Sequence, residues 1–218
     1  RAGSTTLKKI CRAAIDQRIK WLTVFAFSSE NWQRPSLEVE GLFGLIKFFV
    51  KTQANEILDN NVRLRVVGRR DRFSVELKQL IEALESKSSL NNFLNLTVAL
   101  DYGGCQDVVN AMAKIAHEIE RGLLSPSDVS DDLIKSRLST NVLPPVDLLI
   151  RTGGEKRISN FLLWDIAYAE LYFTDALWPD FNGTLFENAI NEFQSRDRRF
   201  GGSSNASTHL RVIKSDLG

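Results

Sequence analysis

The chain has 218 residues, 43% of them hydrophobic and 25% charged, with a formal net charge of +1. That length is enough for one α/β domain with a full core, and the composition is ordinary for a globular protein. So even a charge balance supplies no global field for nucleic acid, and any anion site must be local. The two cysteines, Cys11 and Cys105, offer neither a disulfide framework nor metal-ligand spacing, which mildly favours a reducing compartment. No apolar run is long enough to span a bilayer, and no signal or transit segment is visible.

In chain order, Ser4 is a candidate N-cap for a helix through Arg18, with Leu7, Ile10, Cys11, Ala14 and Ile15 on one face. Residues 20–27 read as a buried strand. At its end comes Ser28-Ser29-Glu30-Asn31-Trp32-Gln33-Arg34-Pro35. Turn and capping chemistry accounts for Ser28, Asn31 and Pro35, but not for Trp32 and Arg34 together. Ser36 can cap a helix over 36–59. Its Leu37, Val39, Leu42, Phe43, Leu45, Ile46, Phe48, Phe49 and Val50 make it apolar on more than one side. That pattern fits a helix buried on both faces or one presenting a second apolar surface.

Residues 62–67 alternate apolar and basic side chains, so one face of that strand should be wet. Gly68-Arg69-Arg70-Asp71-Arg72 reads as structural. A helix is expected over 74–86 and a strand over 94–100, the latter ending in Asp101-Tyr102-Gly103-Gly104-Cys105. The helix at 106–121 buries Val108, Val109, Met112, Ile115, Ala116 and Ile119 in this reading, and leaves His117 on the surface. Ser125-Pro126-Ser127-Asp128 is a loop or a short helix start, and Pro144-Pro145 punctuates the chain.

Val146-Asp147-Leu148-Leu149-Ile150 reads as a buried strand that breaks into Arg151-Thr152-Gly153-Gly154-Glu155-Lys156-Arg157, with Ser159 and Asn160 just after. A glycine pair lets backbone approach a ligand closely. Arg151 and Arg157 offer forked donors that match phosphate oxygens. A solvated basic loop would not need glycines beside hydroxyls and arginines. Ala169-Glu170-Leu171-Tyr172-Phe173 leaves one carboxylate in apolar company, either as the polar face of a strand or as a functional group. A turn at Trp178-Pro179-Asp180-Phe181, an amphipathic helix within 183–200 and a polar tail complete the chain.

R-T-G-G-E-K-R-I-S-N-F-L-L-W followed by A-Y-A-E-L-Y-F resembles the carboxy-terminal signature of the cis-prenyltransferases, the undecaprenyl and dehydrodolichyl diphosphate synthase family. The 27–35 block, Asp101-Tyr102-Gly103-Gly104 and Arg198-Arg199-Phe200-Gly201-Gly202 agree with it, in the family's order over nearly the whole chain. The resemblance implies magnesium-dependent condensation of an allylic diphosphate with isopentenyl diphosphate to a Z-configured product. It implies catalytic roles for Ser28, Glu30 and Asn31, and places Trp32 and Arg34 against the allylic diphosphate. Arg151, Arg157 and Ser159 would hold isopentenyl diphosphate, and Glu170 would supply a Mg2+ ligand. Arg199 and Gly201 would reach into a neighbour's site, which makes a homodimer the expected unit. The helix at 36–59 becomes one wall of a hydrocarbon tunnel, with Phe43 or Phe48 as candidate floor. Arg1-Ala2-Gly3 resembles a block that follows a phosphate-binding D-G-N-x-R-W loop, so that loop and its metal-binding aspartate are expected upstream. The chain departs from the family pattern at Arg69, Asp101, Cys105 and Gly153, where the family has aspartate, asparagine, arginine and serine.

Strands alternating with helices predict an α/β fold, one domain over 1–202 with a mainly parallel central sheet flanked by helices, and a flexible tail over 203–218. The candidate groups follow strand after strand, where open α/β sheets bind ligands. No G-x-G-x-x-G opens a helix and no P-loop is present. Two alternatives stay open: short-chain or irregular coupling of dimethylallyl diphosphate on the same fold, and a non-catalytic partner subunit. An intracellular setting, cytoplasm or plastid, is expected, with no nucleic-acid partner and membrane association only through the product.

Overall fold

The structure, a computed structural model, describes residues 2–196, apart from the side chains of Ala2 and Ser4. Helices and strands alternate: α1 (Ala2–Asp16), β1 (Trp21–Ser28), α2 (Ser36–Asp59), β2 (Val62–Val67), α3 (Val75–Lys87), β3 (Leu94–Tyr102), α4 (Gly104–Glu120), α5 (Asp131–Arg137), β4 (Leu148–Arg151), β5 (Glu170–Phe173) and α6 (Gly183–Ser195). All strand pairs are parallel, as the alternation requires. Among the described residues they form a three-stranded sheet, β1-β3-β2, and a separate pair, β4-β5.

β3 is central in its sheet and is the most deeply buried strand. Leu94, Leu96, Ala99 and Leu100 are each at most 1% exposed, which suits a strand covered on both faces. Each fully buried leucine stabilises the fold by about 1.5–3 kcal/mol. β1 pairs on one side only, so most of it is half-buried rather than buried as the sequence suggests, and Ala26 is exposed. The outer edge of β2 is closed by α3 and its neighbours. Ser88 Oγ accepts from Leu64 N at 3.0 Å, Glu85 Oε1 accepts from Val66 N at 2.7 Å, and Asn91 Nδ2 donates to Val62 O at 2.9 Å. Side chains thereby occupy ladder groups that would otherwise recruit another strand.

Helix starts follow their caps where a cap is present. Ser74 Oγ accepts from Leu77 N at 3.2 Å at the head of α3, and Asn182 does the same for α6. α1 begins at Ala2, so Ser4 lies inside it rather than capping it. α5, not read from sequence, is a seven-residue helix capped by Ser130. α2 is buried on one side only, at Val39, Val50 and Ile57. Leu37 is 81% and Phe48 54% exposed, which removes the reading of a helix buried on both faces.

Candidate active site

Three loops leave the carboxyl ends of β1, β3 and β4 and meet. The first is a 3-10 turn over Ser29–Gln33. Its Trp32 is seated by an aromatic cluster, with Phe43 at 5.1 Å and Phe27 at 5.4 Å between ring centroids, and Phe73 5.5 Å from Phe43. One strand end, one helix and the loop before α3 thus fix where this turn sits. The Ser28 hydroxyl donates to Glu30 Oε2 at 2.6 Å, and Ser28 N donates to Asn31 Oδ1 at 3.0 Å.

The joint between the loops is Asn160. Its Nδ2 donates to Glu30 Oε1 at 2.7 Å, while its Oδ1 accepts from Cys105 N at 2.7 Å. Its carbonyl accepts from Gly104 N, also at 2.7 Å. Asn160 and Ser159 both have positive φ, 61° and 48°, a conformation that asparagine tolerates better than most residues. The stacked pair Phe25–Phe161, 4.5 Å apart, holds the same loop against β1. The close approach explains Gly103: a Cβ there would meet Ser29 Oγ at 2.4 Å and Asn160 Nδ2 at 2.9 Å. The Ser28 hydroxyl first, and the Asn160 amide after it, hold the Glu30 carboxyl below the usual carboxylate range.

The loop after β4 folds on itself. Arg151 Nη1 donates to Ser159 Oγ at 2.7 Å and to the carbonyl of Arg157. Arg157 pairs through its guanidinium with Glu155, and both are well exposed. Such a pair is worth about 1 kcal/mol or less, so Arg157 can exchange it for another anion. Gly153 and Gly154 have φ of 85° and 74°. Their N–H groups donate to Ala176 O and Thr174 O, so the pair makes a turn against the segment after β5 and spends its amides inside the protein, not on a ligand.

Glu170 opens β5, opposite Leu148 of β4. Its Oε2 accepts from Arg196 Nη1 at 2.9 Å, and Arg196 also binds Leu171 O and Glu192. Arg34 is exposed and pairs with Glu38 one helical turn on. A groove of about 240 Å³ runs between α1 and α2 over the sheet, lined by Leu7, Cys11, Ile15, Phe49, Gln53 and Ile57 among others. Burial, and then Glu56, push the Cys11 thiol up to about 12, so it stays neutral there.

Residues 1–201 match the "Prenyltransf" family model, described as "Putative undecaprenyl diphosphate synthase". The chain belongs to the undecaprenyl diphosphate synthase family of cis-prenyltransferases. It is 46% identical over 203 residues to a ditrans,polycis-undecaprenyl-diphosphate synthase of Blochmanniella floridana, covering 93% of this chain and 81% of that one. It is 43% identical over 203 residues to the Escherichia coli K12 enzyme of the same name, covering 93% and 80%. Both relatives are described as specific for (2E,6E)-farnesyl diphosphate. Among solved structures it superposes on lavandulyl diphosphate synthase from Lavandula x intermedia in complex with dimethylallyl diphosphate, with a TM-score of 0.89 and 33% identity over 92% of this chain and 86% of that one.

For this prenyltransferase the structure brings Ser28, Glu30, Asn31 and Trp32 together on one turn, and joins that turn to the loop of Arg151, Arg157 and Ser159. Arg199 and Gly201, together with the expected tail, lie outside the described residues. Phe43 belongs to the aromatic cluster, Phe48 is more than half exposed, and Phe49 lines the groove between α1 and α2. Sequence reading missed Asn160 as the joint and Arg196 as the partner of Glu170. An asparagine directly after a strand-end loop, where left-handed backbone is common, is the signal that could have found the first. Nothing in sequence points to the second, which lies 26 residues from its partner.

Proposed function

We infer that this chain condenses an allylic diphosphate with isopentenyl diphosphate and elongates it with Z geometry. The observation that carries this reading is the 2.7 Å bond from Asn160 Nδ2 to Glu30 Oε1. It joins the two loops expected to hold the two diphosphates, which supports a single site for both substrates. In the reaction, the allylic carbon–oxygen bond breaks as the double bond of isopentenyl diphosphate forms the new carbon–carbon bond. A proton leaves the adjacent carbon, and diphosphate is released. Arg34 takes up charge on the departing diphosphate. Arg151 and Ser159 orient isopentenyl diphosphate. Both hydrogen bonds of Arg151 use Nη1, and among the described residues its Nη2–Nε edge has no acceptor, which leaves a fork suited to phosphate oxygens. The groove between α1 and α2 takes the hydrocarbon tail. The working unit is a homodimer in this reading, completed by the block around Arg199 and Gly201.

The donor set fits Mg2+. That ion is held by one or two carboxylates together with substrate phosphates and water. Among the described residues no three His, Cys, Asp or Glu side chains gather, whereas Glu170 offers a half-buried carboxylate at the start of β5, held by the exchangeable pair with Arg196. Bound there, Mg2+ would neutralise charge on a diphosphate. Irregular coupling is not favoured: the 43–46% identical relatives are undecaprenyl synthases.

The test is product analysis on the full-length protein, with labelled isopentenyl diphosphate and dimethylallyl, geranyl or farnesyl diphosphate in turn. Incorporation that needs both an allylic diphosphate and Mg2+, with new double bonds Z by NMR, supports the reading. Products without isopentenyl units, or no incorporation with any allylic primer, overturn it.

A further inference from the structure

The end of β3 holds a buried carboxylate that the reaction as described does not use. Asp101 is 1% exposed, and neither carboxylate oxygen has a hydrogen-bond partner among the described residues. Burying a carboxylate without partners costs several kcal/mol, so it persists only where something compensates. Its backbone is also left-handed, with φ 50°, at the strand end where ligands gather. The cation paired with it is Arg72, whose Nε lies 3.8 Å from Asp101 Oδ2, and Arg69 also stands close enough to act on it. That guanidinium lies over the Trp32 ring, 5.2 Å from its centroid. Trp32 stands between Asn31 and Arg34 on the turn after β1.

The segment carrying Arg72 is fixed on both sides. Arg69 N donates to Asp101 O at 3.0 Å. Phe73 is 5% exposed within the aromatic cluster. Arg72 itself is about a third exposed. Among the described residues it has no hydrogen-bond acceptor, and around it stand the Asp101 carboxylate behind, the Trp32 ring beneath and the exposed Asp71 carboxylate nearby. An arginine aimed from two sides, with donors left over, is arranged for an anion arriving from solvent.

We propose that Arg72 is a further diphosphate-binding residue for the allylic substrate, and that Asp101 is the positioning residue that aims it. The family pattern has asparagine at 101, so in this chain a charge replaces a neutral amide behind Arg72. The proposal rests on the prenyl-transfer reading.

The experiment uses the full-length protein and four variants: Arg72→Ala, Arg72→Lys, Asp101→Asn and the double variant Arg72→Ala/Asp101→Asn. Inorganic pyrophosphate affinity is measured by calorimetry, and KM for each substrate by turnover. Arg72→Ala should weaken pyrophosphate roughly ten- to hundredfold, the range for one charge-assisted hydrogen bond. KM for the allylic diphosphate should rise similarly, with KM for isopentenyl diphosphate unchanged within about twofold. Arg72→Lys should recover only part of the loss, since a lysine lacks the fork. Asp101→Asn should reproduce part of the Arg72→Ala effect. It should add nothing beyond about twofold in the double variant, because a positioning residue acts through its partner. Unchanged pyrophosphate affinity and allylic KM in Arg72→Ala overturn the proposal, and Arg72 is exposed enough for that variant to fold even if Asp101→Asn does not. Independent, additive effects of the two substitutions overturn the positioning role. Wild-type protein that binds no pyrophosphate and needs no allylic diphosphate would overturn the prenyl-transfer reading and this inference with it.

Discussion

Glu30 is held by neutral donors, and Glu170 by a cation. Around Glu30, the Ser28 hydroxyl and the Asn160 amide use both carboxylate oxygens, one from its own turn and one from the loop after β4. Around Glu170, Arg196 reaches across from the end of α6 and spreads its donors over Glu170, Leu171 and Glu192. A carboxylate wrapped by short neutral donors acts as a brace, because its geometry joins two loops and nothing charged is available to exchange. A half-exposed ion pair is weak, and its carboxylate can change partners when a dication and a diphosphate arrive. Glu30 lies just past the carboxyl end of β1 and Glu170 at the start of β5, so the two carboxylates differ in place as well as in partners.

The largest effect expected from breaking this contrast is at Glu170. Glu170→Gln keeps the shape and should lower kcat on the order of 10²-fold or more, as losses of charge stabilisation at reacting centres do. Thermal unfolding should move little, since the pair with Arg196 contributes about 1 kcal/mol or less. Full activity across a Mg2+ titration would return Glu170 to the structural side of the comparison.

Arg151→Ala comes next. It removes a charge-assisted contact, so isopentenyl diphosphate affinity should fall by roughly one to two decades, with the allylic substrate much less affected. Equal losses for both substrates, read from KM against each in turn, would mean that Arg151 only shapes the loop.

Asn160→Ala tests the brace itself. Two side-chain hydrogen bonds, to Glu30 and from Cys105 N, are lost, so unfolding free energy should drop by about 1–3 kcal/mol and both KM values should rise together. A variant as stable as the parent, measured by denaturant titration, would show that the loops meet without Asn160.

The smallest effect is the pH response of Glu30. Its folded pKa lies below that of an unfolded glutamate, about 4.3. Its contribution is therefore present above that value and is lost as pH falls through the folded pKa. Acid titration of stability should show a steeper decline below about pH 4.3 in the parent than in Glu30→Gln. Identical acid arms would show that Ser28 and Asn160 do not favour the charged form.

Much of the architecture was legible in local pattern. Alternating apolar runs and amphipathic helices identified an α/β chain with parallel strands, because strand and helix periods are properties of neighbours in sequence. The loop positions of Ser28, Asn31, Trp32, Arg151 and Ser159 followed for the same reason, since each lies at the end of a readable strand. Burial was less legible. Residues 20–27 are apolar enough for a core strand, yet β1 is half-buried, because its exposure depends on which strands pair beside it. The apolar excess of α2 was likewise readable, but only packing showed that Phe43 joins an aromatic cluster, Phe48 faces outward and Phe49 lines a groove.

By itself, the amino-acid sequence determined the family and the order of the elements apart from α5, and nominated residues for diphosphate, because motif spacing and hydrophobic period are local. Tertiary structure alone decided the partners. Asn160 meets Glu30 across 130 residues, Arg196 meets Glu170 across 26, and Asp101 at the end of β3 faces Arg72 from the loop after β2. No local pattern encodes such pairs, because they form only when the packing of sheets and helices brings distant segments together.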